Sequence, residues 1–151
     1  MSDQANTKKM IIGYTSGVYD MFHIGHLNLL KNAKAMCDRL VVGVTTDELV
    51  SYKGKQAMIP YHDRAEIVRS VRYVDAVVPQ ADMNKLLMCQ KLKADILFVG
   101  DDWYDTDKWR GIEQELQTIG VRVVYFPYTQ GISSTQLSEA LGGQGSLPNG
   151  G

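Results

Sequence analysis

Residues 10–33 read MIIGYTSGVYDMFHIGHLNLLKNA, and this stretch decides the fold. Its first six residues form an apolar, β-rich run that is typical of a strand, whereas Leu27 and Leu30 follow at helical spacing. Two histidines, His23 and His26, stand between these patterns, where the helix is expected to begin. The stretch therefore predicts a strand, a short loop and a helix whose first turn carries both imidazoles.

The same alternation continues along the chain. β-Rich runs occupy residues 10–15, 40–45, 75–78, 95–99 and 121–126, and helix-like segments cover 24–37, 61–72, 83–93, 107–119 and a short piece from Ser134. The apolar run at 40–44 suits a strand that is buried on both faces of a parallel sheet. This alternation predicts an α/β fold: a single Rossmann-like domain in which a five-stranded parallel sheet carries helices on both faces.

Composition and charge narrow the class of protein. The 151 residues suit one domain, 44% of them are hydrophobic, and the net charge is −1. This charge shows no basic bias of the kind that nucleic-acid binding requires. The sequence shows no signal peptide and no apolar run of membrane-spanning length, so we expect a cytoplasmic protein without a membrane partner. Cys37 and Cys89 are expected to be buried or half-buried thiols.

The predicted domain covers residues 10–141. Residues 1–9 are polar, and residues 142–151 read GGQGSLPNGG. Both termini are therefore predicted to be flexible.

In an open parallel sheet, ligands bind beyond the carboxyl ends of the strands. The segments that follow the predicted strands hold polar residues of chemical interest: Asp20, His23 and His26 after the first, Lys53 and Lys55 after the second, Asp101 and Asp102 after the fourth, and residues 128–135 after the fifth. The sequence thus concentrates its polar chemistry at one edge of the predicted sheet.

His23 and His26 lie three residues apart, so both imidazoles share one face of the predicted helix. A helix N-terminus attracts anions through its unpaired N–H groups and its dipole, and Gly25 lets a ligand approach the backbone. This pattern favours a site that holds a phosphate group while it reacts. Two other interpretations stay open: half of a zinc site, and a pair of capping or surface histidines.

Three further segments permit both a structural and a ligand-binding interpretation. Residues 131–135, GISST, start the last predicted helix, where hydroxyl groups can cap the helix and also bind an anion. Asp101 and Asp102 either cap a turn or serve a nucleotide ribose or a magnesium ion. Lys53 and Lys55 either stay solvated or contact phosphate from the same edge.

Five motifs, in order, resemble those of the cytidylyltransferase-like nucleotidyltransferases, with the bacterial glycerol-3-phosphate cytidylyltransferases as the nearest group. They are H-x-G-H at 23–26 with Asp20 before it, TDE at 46–48, RYVD at 72–75, GDDW at 100–103 and GISST at 131–135. The similarity extends from about residue 10 to residue 141.

The resemblance implies that a substrate phosphate attacks the α-phosphate of a nucleoside triphosphate and releases pyrophosphate, without a covalent enzyme intermediate. CTP is the expected nucleotide, glycerol 3-phosphate the expected acceptor, Mg²⁺ the cofactor and a homodimer the assembly. ATP, or an acceptor such as phosphocholine, phosphoethanolamine or a sugar phosphate, is the alternative within the family.

The resemblance also implies roles for single residues. His23, His26 and Lys53 are expected at the reacting phosphates. The expected nucleotide ligands are Asp20, Gly25, Asp102, Thr129, Gly131, Ser133 and Ser134, with Asp102 also as the magnesium ligand. Lys55, Arg72 and Tyr128 are expected at the substrate, and the segment 72–75 also matches a dimer contact.

One position departs from the family pattern. The motif R-T-x-G-I-S usually begins with arginine, and Tyr128 stands there in this chain. A phenol donates one hydrogen bond but lacks the bidentate, charged contact of a guanidinium. Another cation compensates, with Lys53, Lys55 and Arg122 as candidates, or the enzyme is slower or uses other substrates. A third reading is a nucleotide-binding module with weak catalysis.

Overall fold

Five parallel strands and five helices make up the part of the chain that the computed structural model describes, residues 9–100 and 106–127. In chain order they are β1 (Ile12–Gly17), α1 (Ile24–Lys34), β2 (Arg39–Thr45), α2 (Asp47–Tyr52), α3 (Tyr61–Arg69), β3 (Ala76–Gln80), α4 (Lys85–Leu92), β4 (Ile96–Gly100), α5 (Asp107–Gln117) and β5 (Arg122–Phe126). The predicted α/β class with five strands is confirmed.

The strands lie in the order β3-β2-β1-β4-β5, and every neighbouring pair is parallel. Tyr14 of β1 lies opposite Val41 of β2 on one side and Leu97 of β4 on the other. The chain thus builds outward from β1 through β2 to β3, then returns to add β4 and β5. The order of the strands reverses between β1 and β4, where such sheets bind ligands.

Helices cover both faces of the sheet, as predicted. On one face, β2 and β4 bury a cluster against α1 and α3: Leu30, Ala33, Leu40, Val42, Val44, Ala65, Val68 and Phe98. On the other face, strand residues pack against residues of α4 and α5. The strands contribute Tyr14, Val41, Leu97 and Val99, and the helices contribute Cys89, Trp109 and Leu116. Cys89 is buried and Cys37 is half-buried, which confirms the prediction for both thiols.

The sequence did not predict α2, which follows β2 almost at once. Thr46 caps this helix, because its hydroxyl accepts a hydrogen bond from the Leu49 N–H at 3.2 Å. With six residues, α2 is too short to display a helical period in its hydrophobic pattern. As a result, Lys53 is the C-terminal cap of a helix and does not lie in a loop that leaves β2 directly.

Several predictions fall partly or wholly outside the described residues. They are the short helix from Ser134, the flexible segment 142–151 and, apart from Lys9, the flexible segment 1–9. Within the ranges 9–100 and 106–127, no helix has the length and apolar character needed to cross a membrane.

Candidate active site

A cavity of about 390 Å³ opens at the carboxyl ends of the strands, at the switch between β1 and β4. The strand ends supply much of its floor: Thr15, Ser16, Gly17, Thr45, Gln80, Val99 and Gly100. Its walls come from the segment after β1 and from the helices, including Tyr19, His26, Leu29, Lys53, Met83, Lys85, Lys108, Trp109 and Ile112. The cavity therefore lies at the edge of the sheet that the sequence predicted.

The two histidines cap α1 by bonding to each other's backbone. His23 is the N-cap residue, and its side chain accepts from the backbone N–H groups of Gly25, at 3.0 Å to Nδ1, and of His26. His26 Nδ1 in turn accepts from the His23 N–H at 3.2 Å. Each neutral ring therefore carries its proton on Nε2. The capping interpretation is confirmed, and it leaves both rings suited to donate to a phosphate oxygen.

The histidine rings are stacked and their positive form is disfavoured. Their centroids lie 4.0 Å apart with an interplanar angle of 24°, and Tyr19 and Phe22 pack against His26 at 5.3 and 5.2 Å. Burial, and secondarily the nearby His23, lowers the pKa of His26 to about 4, and burial also lowers the pKa of His23. At neutral pH both rings are therefore uncharged donors.

A strained loop connects β1 to the histidines. Tyr19 and Met21 adopt left-handed φ angles of 55° and 49°, which are unusual for residues other than glycine. Between them, the buried Asp20 accepts from the N–H groups of Met58 and Ile59, at 2.8 and 3.0 Å. Asp20 thus ties the loop to the segment before α3, and its contact with a nucleotide stays a prediction.

Arg64, which the sequence analysis missed, holds several segments together below the cavity. Its side chain is 0% exposed. One terminal nitrogen donates to the carbonyls of Val18 and Thr45, at 2.7 and 2.8 Å, and the other pairs with Asp47 at 2.6 Å. Backbone and Arg64 contacts lower the pKa of the Asp47 carboxyl. One guanidinium therefore fixes the histidine loop relative to β2 and α2.

Three lysines line the other side of the cavity, each from a different helix: Lys53 caps α2, Lys85 begins α4 and Lys108 lies in the first turn of α5. Lys85 Nζ donates to Ser16 Oγ at 3.1 Å and lies 5.9 Å from the Trp109 ring centroid. Burial, together with the positive charges of Lys53 and Lys108, lowers the pKa of Lys85 to about 8. These like charges line one cavity, an arrangement that favours the binding of anions.

Lys85 and Lys108 were not predicted, although a signal for Lys85 was present. Lys85 comes five positions after Gln80, the last residue of β3. The rule that ligands bind beyond strand ends, applied to the third strand as to the others, selects this segment. Lys108 is separated from the end of β4 by residues 101–107, so the rule about strand ends did not select it.

The other predicted site residues divide into those beside the histidines, those away from the cavity and those outside the described ranges. Lys55 follows Gly54, whose φ is 80°, and is exposed outside the cavity lining. Gly25 lies in the first turn of α1, beside the histidines. Arg72 is exposed and precedes β3, so it lies at the amino end of that strand and is not brought to the cavity. Asp101, Asp102, Tyr128, Thr129, Gly131, Ser133 and Ser134 lie outside the described residues.

Comparison with known proteins identifies relatives over most of the chain. The sequence model of a family described as cytidylyltransferase-like matches residues 14–140. The glycerol-3-phosphate cytidylyltransferase of Bacillus subtilis is 36% identical over 137 residues, which cover 90% of this chain and 98% of that protein. The FAD synthase of Pyrococcus abyssi is 39% identical over 124 residues, 80% of each chain.

A solved structure has the same architecture. The lipopolysaccharide core biosynthesis protein from Thermoplasma volcanium superimposes with a TM-score of 0.67 at 25% identity, over 80% of this chain and 98% of that one. The predicted family resemblance and the Rossmann-like fold are both confirmed.

Proposed function

The chain belongs to the cytidylyltransferase-like family of nucleotidyltransferases, and we propose that it joins CTP to a small phosphorylated alcohol, with glycerol 3-phosphate favoured. A phosphate oxygen of the acceptor forms a bond to the α-phosphorus of CTP. The bond from that phosphorus to the bridging oxygen breaks, and pyrophosphate leaves with the electron pair. The observation that carries this proposal is a cavity lined by the neutral His26, on which the His23 ring stacks, and by three lysines.

The histidines suit the α-phosphate. Because both Nδ1 atoms accept backbone hydrogen bonds, each Nε2 proton is the one that can reach a phosphate oxygen. Negative charge on those oxygens builds up as the two phosphates meet, and donors fixed in advance stabilise that charge without reorganising. The rings donate while neutral, so no proton transfer is needed.

The lysines suit the remaining phosphates, since a triphosphate and a phosphorylated acceptor bring several negative charges into one cavity. Lys53, Lys85 and Lys108 would offset their repulsion. Among the described residues that line the cavity, none is Asp or Glu. This positive surrounding disfavours the cationic head groups of phosphocholine and phosphoethanolamine and favours an uncharged alcohol.

Mg²⁺ is the cofactor that we propose. In residues 9–100 and 106–127, no group of three or more His, Cys, Asp or Glu side chains could hold a metal, which also speaks against a zinc site there. Mg²⁺ commonly binds through one or two carboxylates together with substrate phosphates, so Asp102 and the triphosphate are the ligands we propose. When bound, the ion would neutralise charge on the phosphates.

A second candidate is transfer from ATP to a different acceptor. The relatives named FAD synthase, at 39% and 36% identity, favour it, because their name denotes the synthesis of an adenine dinucleotide. A nucleotide-binding module with weak catalysis, suggested by Tyr128, is the third candidate. Substrate assays separate all three.

We also propose a homodimer, based on the family resemblance of the segment 72–75. Within one chain, Asp75 of this segment pairs with Lys34 at 2.7 Å, while Arg72 is exposed. Light scattering at micromolar concentration is expected to give twice 16.9 kDa. A mass of one chain would contradict the dimer.

The test of the proposed function is pyrophosphate release with Mg²⁺. The four ribonucleoside triphosphates would each be combined with glycerol 3-phosphate, phosphocholine, phosphoethanolamine, a sugar phosphate and flavin mononucleotide. CTP with glycerol 3-phosphate is expected to be the fastest pair. ATP with flavin mononucleotide as the fastest pair would establish the second candidate. Nucleotide binding in calorimetry without release from any pair would establish the third.

A further inference from the structure

Gln80, the last residue of β3, lines the cavity with a side-chain amide that is only half satisfied within the described ranges. The residue is 6% exposed and lines the cavity. Its Oε1 accepts from the Thr45 hydroxyl at 2.6 Å, and Thr45 is also buried. No residue in the described ranges accepts a hydrogen bond from its Nε2. Because buried polar groups in native proteins almost always have a partner, this amide requires one from outside the described chain.

We propose that the Gln80 carboxamide donates a hydrogen bond to a hydroxyl oxygen of the phosphorylated acceptor and so selects a hydroxylated alcohol over an apolar one. This inference rests on the proposed function and adds to it a residue that recognises the acceptor. Thr45 is a positioning residue here, because its hydroxyl engages Oε1 and leaves Nε2 as the donating end.

The position of Gln80 in the sheet assigns it to the acceptor. Thr45 and Gln80 end β2 and β3, on one side of β1. The segments that the sequence assigns to the nucleotide, at Asp102 and at 129–134, follow β4 and β5 on the opposite side. The histidines follow β1, between the two groups. Two substrates that meet at the α-phosphate therefore place the acceptor on the side of β2 and β3.

The surroundings of Gln80 define the class of acceptor. Lys53 and Lys85 line the same cavity and offer charge to the acceptor phosphate. A neutral amide donor in the same cavity matches an uncharged oxygen on the same molecule, such as a hydroxyl near the phosphate ester. An acceptor without that hydroxyl would leave the amide buried and unpaired, which is how a polar site rejects an analogue.

The test compares glycerol 3-phosphate with propyl phosphate, which keeps the phosphate and lacks both hydroxyls. Initial rates with CTP would be measured for the wild type, for Gln80→Leu and for the control Gln114→Leu, a glutamine exposed on α5. The wild type and the control are expected to prefer glycerol 3-phosphate about tenfold in kcat/KM. In Gln80→Leu this preference is expected to fall to about twofold or less, while the KM for CTP stays unchanged.

An unchanged preference in folded Gln80→Leu, or a wild type without a preference, would overturn the proposal. So would a change in the KM for CTP alone, because it would place Gln80 at the nucleotide. If Gln80→Leu does not fold, the nearly isosteric Gln80→Glu takes its place. Its carboxylate would repel the acceptor phosphate and lower kcat/KM for glycerol 3-phosphate, and an unchanged value would also overturn the proposal.

Failure of the proposed function is recognised separately. It would appear as no pyrophosphate release by the wild type with either acceptor. Calorimetry with glycerol 3-phosphate then decides the role of Gln80. Binding that is about tenfold weaker in Gln80→Leu than in the wild type supports the contact, whereas equal binding, or none by the wild type, contradicts it.

Discussion

The two sides of the cavity are built in opposite ways. The histidine side consists of His26, which lines the cavity, and His23, which stacks on it; the two cap one helix through bonds within three residues of sequence and stay neutral. The lysine side consists of Lys53, Lys85 and Lys108, which come from three helices and repel one another. The first side has uncharged hydrogen-bond donors in fixed positions. The second side has positive charges whose mutual repulsion a bound anion would relieve.

This difference predicts a division of labour. Neutral donors fixed in advance act where charge develops during reaction, so the histidine side is expected to lower the barrier. Crowded cations gain most when a ligand neutralises them, so the lysine side is expected to set affinity. Variants of the two sides should therefore change different kinetic constants.

The largest effect is expected for His26→Ala. If His26 donates to the α-phosphate as proposed, removing this fixed donor should lower kcat about 10²–10³-fold and change the KM for CTP much less. His62→Ala, which removes the remaining, exposed histidine of the chain, is the matched control and should keep its activity. Full activity of His26→Ala would exclude the proposed role.

Two near-isosteric variants sharpen the same comparison. His26→Gln places an amide donor near the position of Nε2, and His26→Asn places an acceptor near the position of Nδ1. If donation from Nε2 stabilises the reacting phosphate, Gln should retain more kcat than Asn, while Asn should retain more thermal stability. The reverse order in kcat would mean that the capping bond alone is what activity needs.

The next effect is expected for Lys85→Met. Losing a partly buried cation should raise the KM for the phosphorylated substrates about tenfold, with a smaller change in kcat. Lys91→Met, an exposed lysine in the last turn of the same helix, should not raise it. A loss confined to kcat would contradict the division of labour.

The pH dependence of kcat/KM tests Lys85 without removing it. The pKa of Lys85 is lowered to about 8, so its charge is lost as the pH rises through that value, and anion binding should weaken there. Lys85→Arg should move this limb of the profile to higher pH, because arginine stays protonated. With the pKa of His26 near 4, no histidine limb is expected between pH 6 and pH 8. Because the acceptor phosphate itself titrates near pH 6, a limb near 6.5 would contradict neutral histidines if it disappears in His26→Gln.

Asp20→Asn tests what holds the histidine side in place. The carboxylate accepts two backbone N–H groups, and an amide offers one acceptor oxygen in its place. Unfolding free energy should fall by about 1–3 kcal/mol, which denaturant titration measures. Asp63→Asn, an exposed position on α3, should leave it unchanged. An equally stable Asp20→Asn protein would show that the loop is held by other contacts, with Arg64 as the first candidate.

The smallest effect is expected for Tyr128→Arg. If the lysine side already supplies the charge that the family places on arginine, the new cation should tighten triphosphate binding by less than about threefold. Calorimetry with CTP measures this directly. A gain of tenfold or more would show that the cavity lacks a cation that Tyr128 has replaced.

The contrast between the two sides also explains which features could be predicted. The histidine pair could be predicted because residues three apart on a helix lie on the same face. The sheet could be predicted because strand-like and helix-like segments alternate along the sequence. The lysine side depends on residues that are distant in sequence, since Lys85 bonds to Ser16, 69 positions away. The same holds for Arg64, which bonds to Val18, 46 positions away. Only the strand order brings these residues together. The helix α2 was not predicted, because its six residues are too few to show the helical period in the hydrophobic pattern.

The most direct test of the division of labour is a double-mutant cycle with His26→Ala and Lys85→Met, in which the single-turnover rate and the affinities for CTP and glycerol 3-phosphate are measured separately. His26→Ala is expected to slow the chemical step at nearly unchanged affinity, and Lys85→Met to weaken binding at a nearly unchanged rate. The two losses should then multiply in kcat/KM. A double variant no worse than His26→Ala alone would contradict the division of labour, because both sides would then act on one step as a single unit.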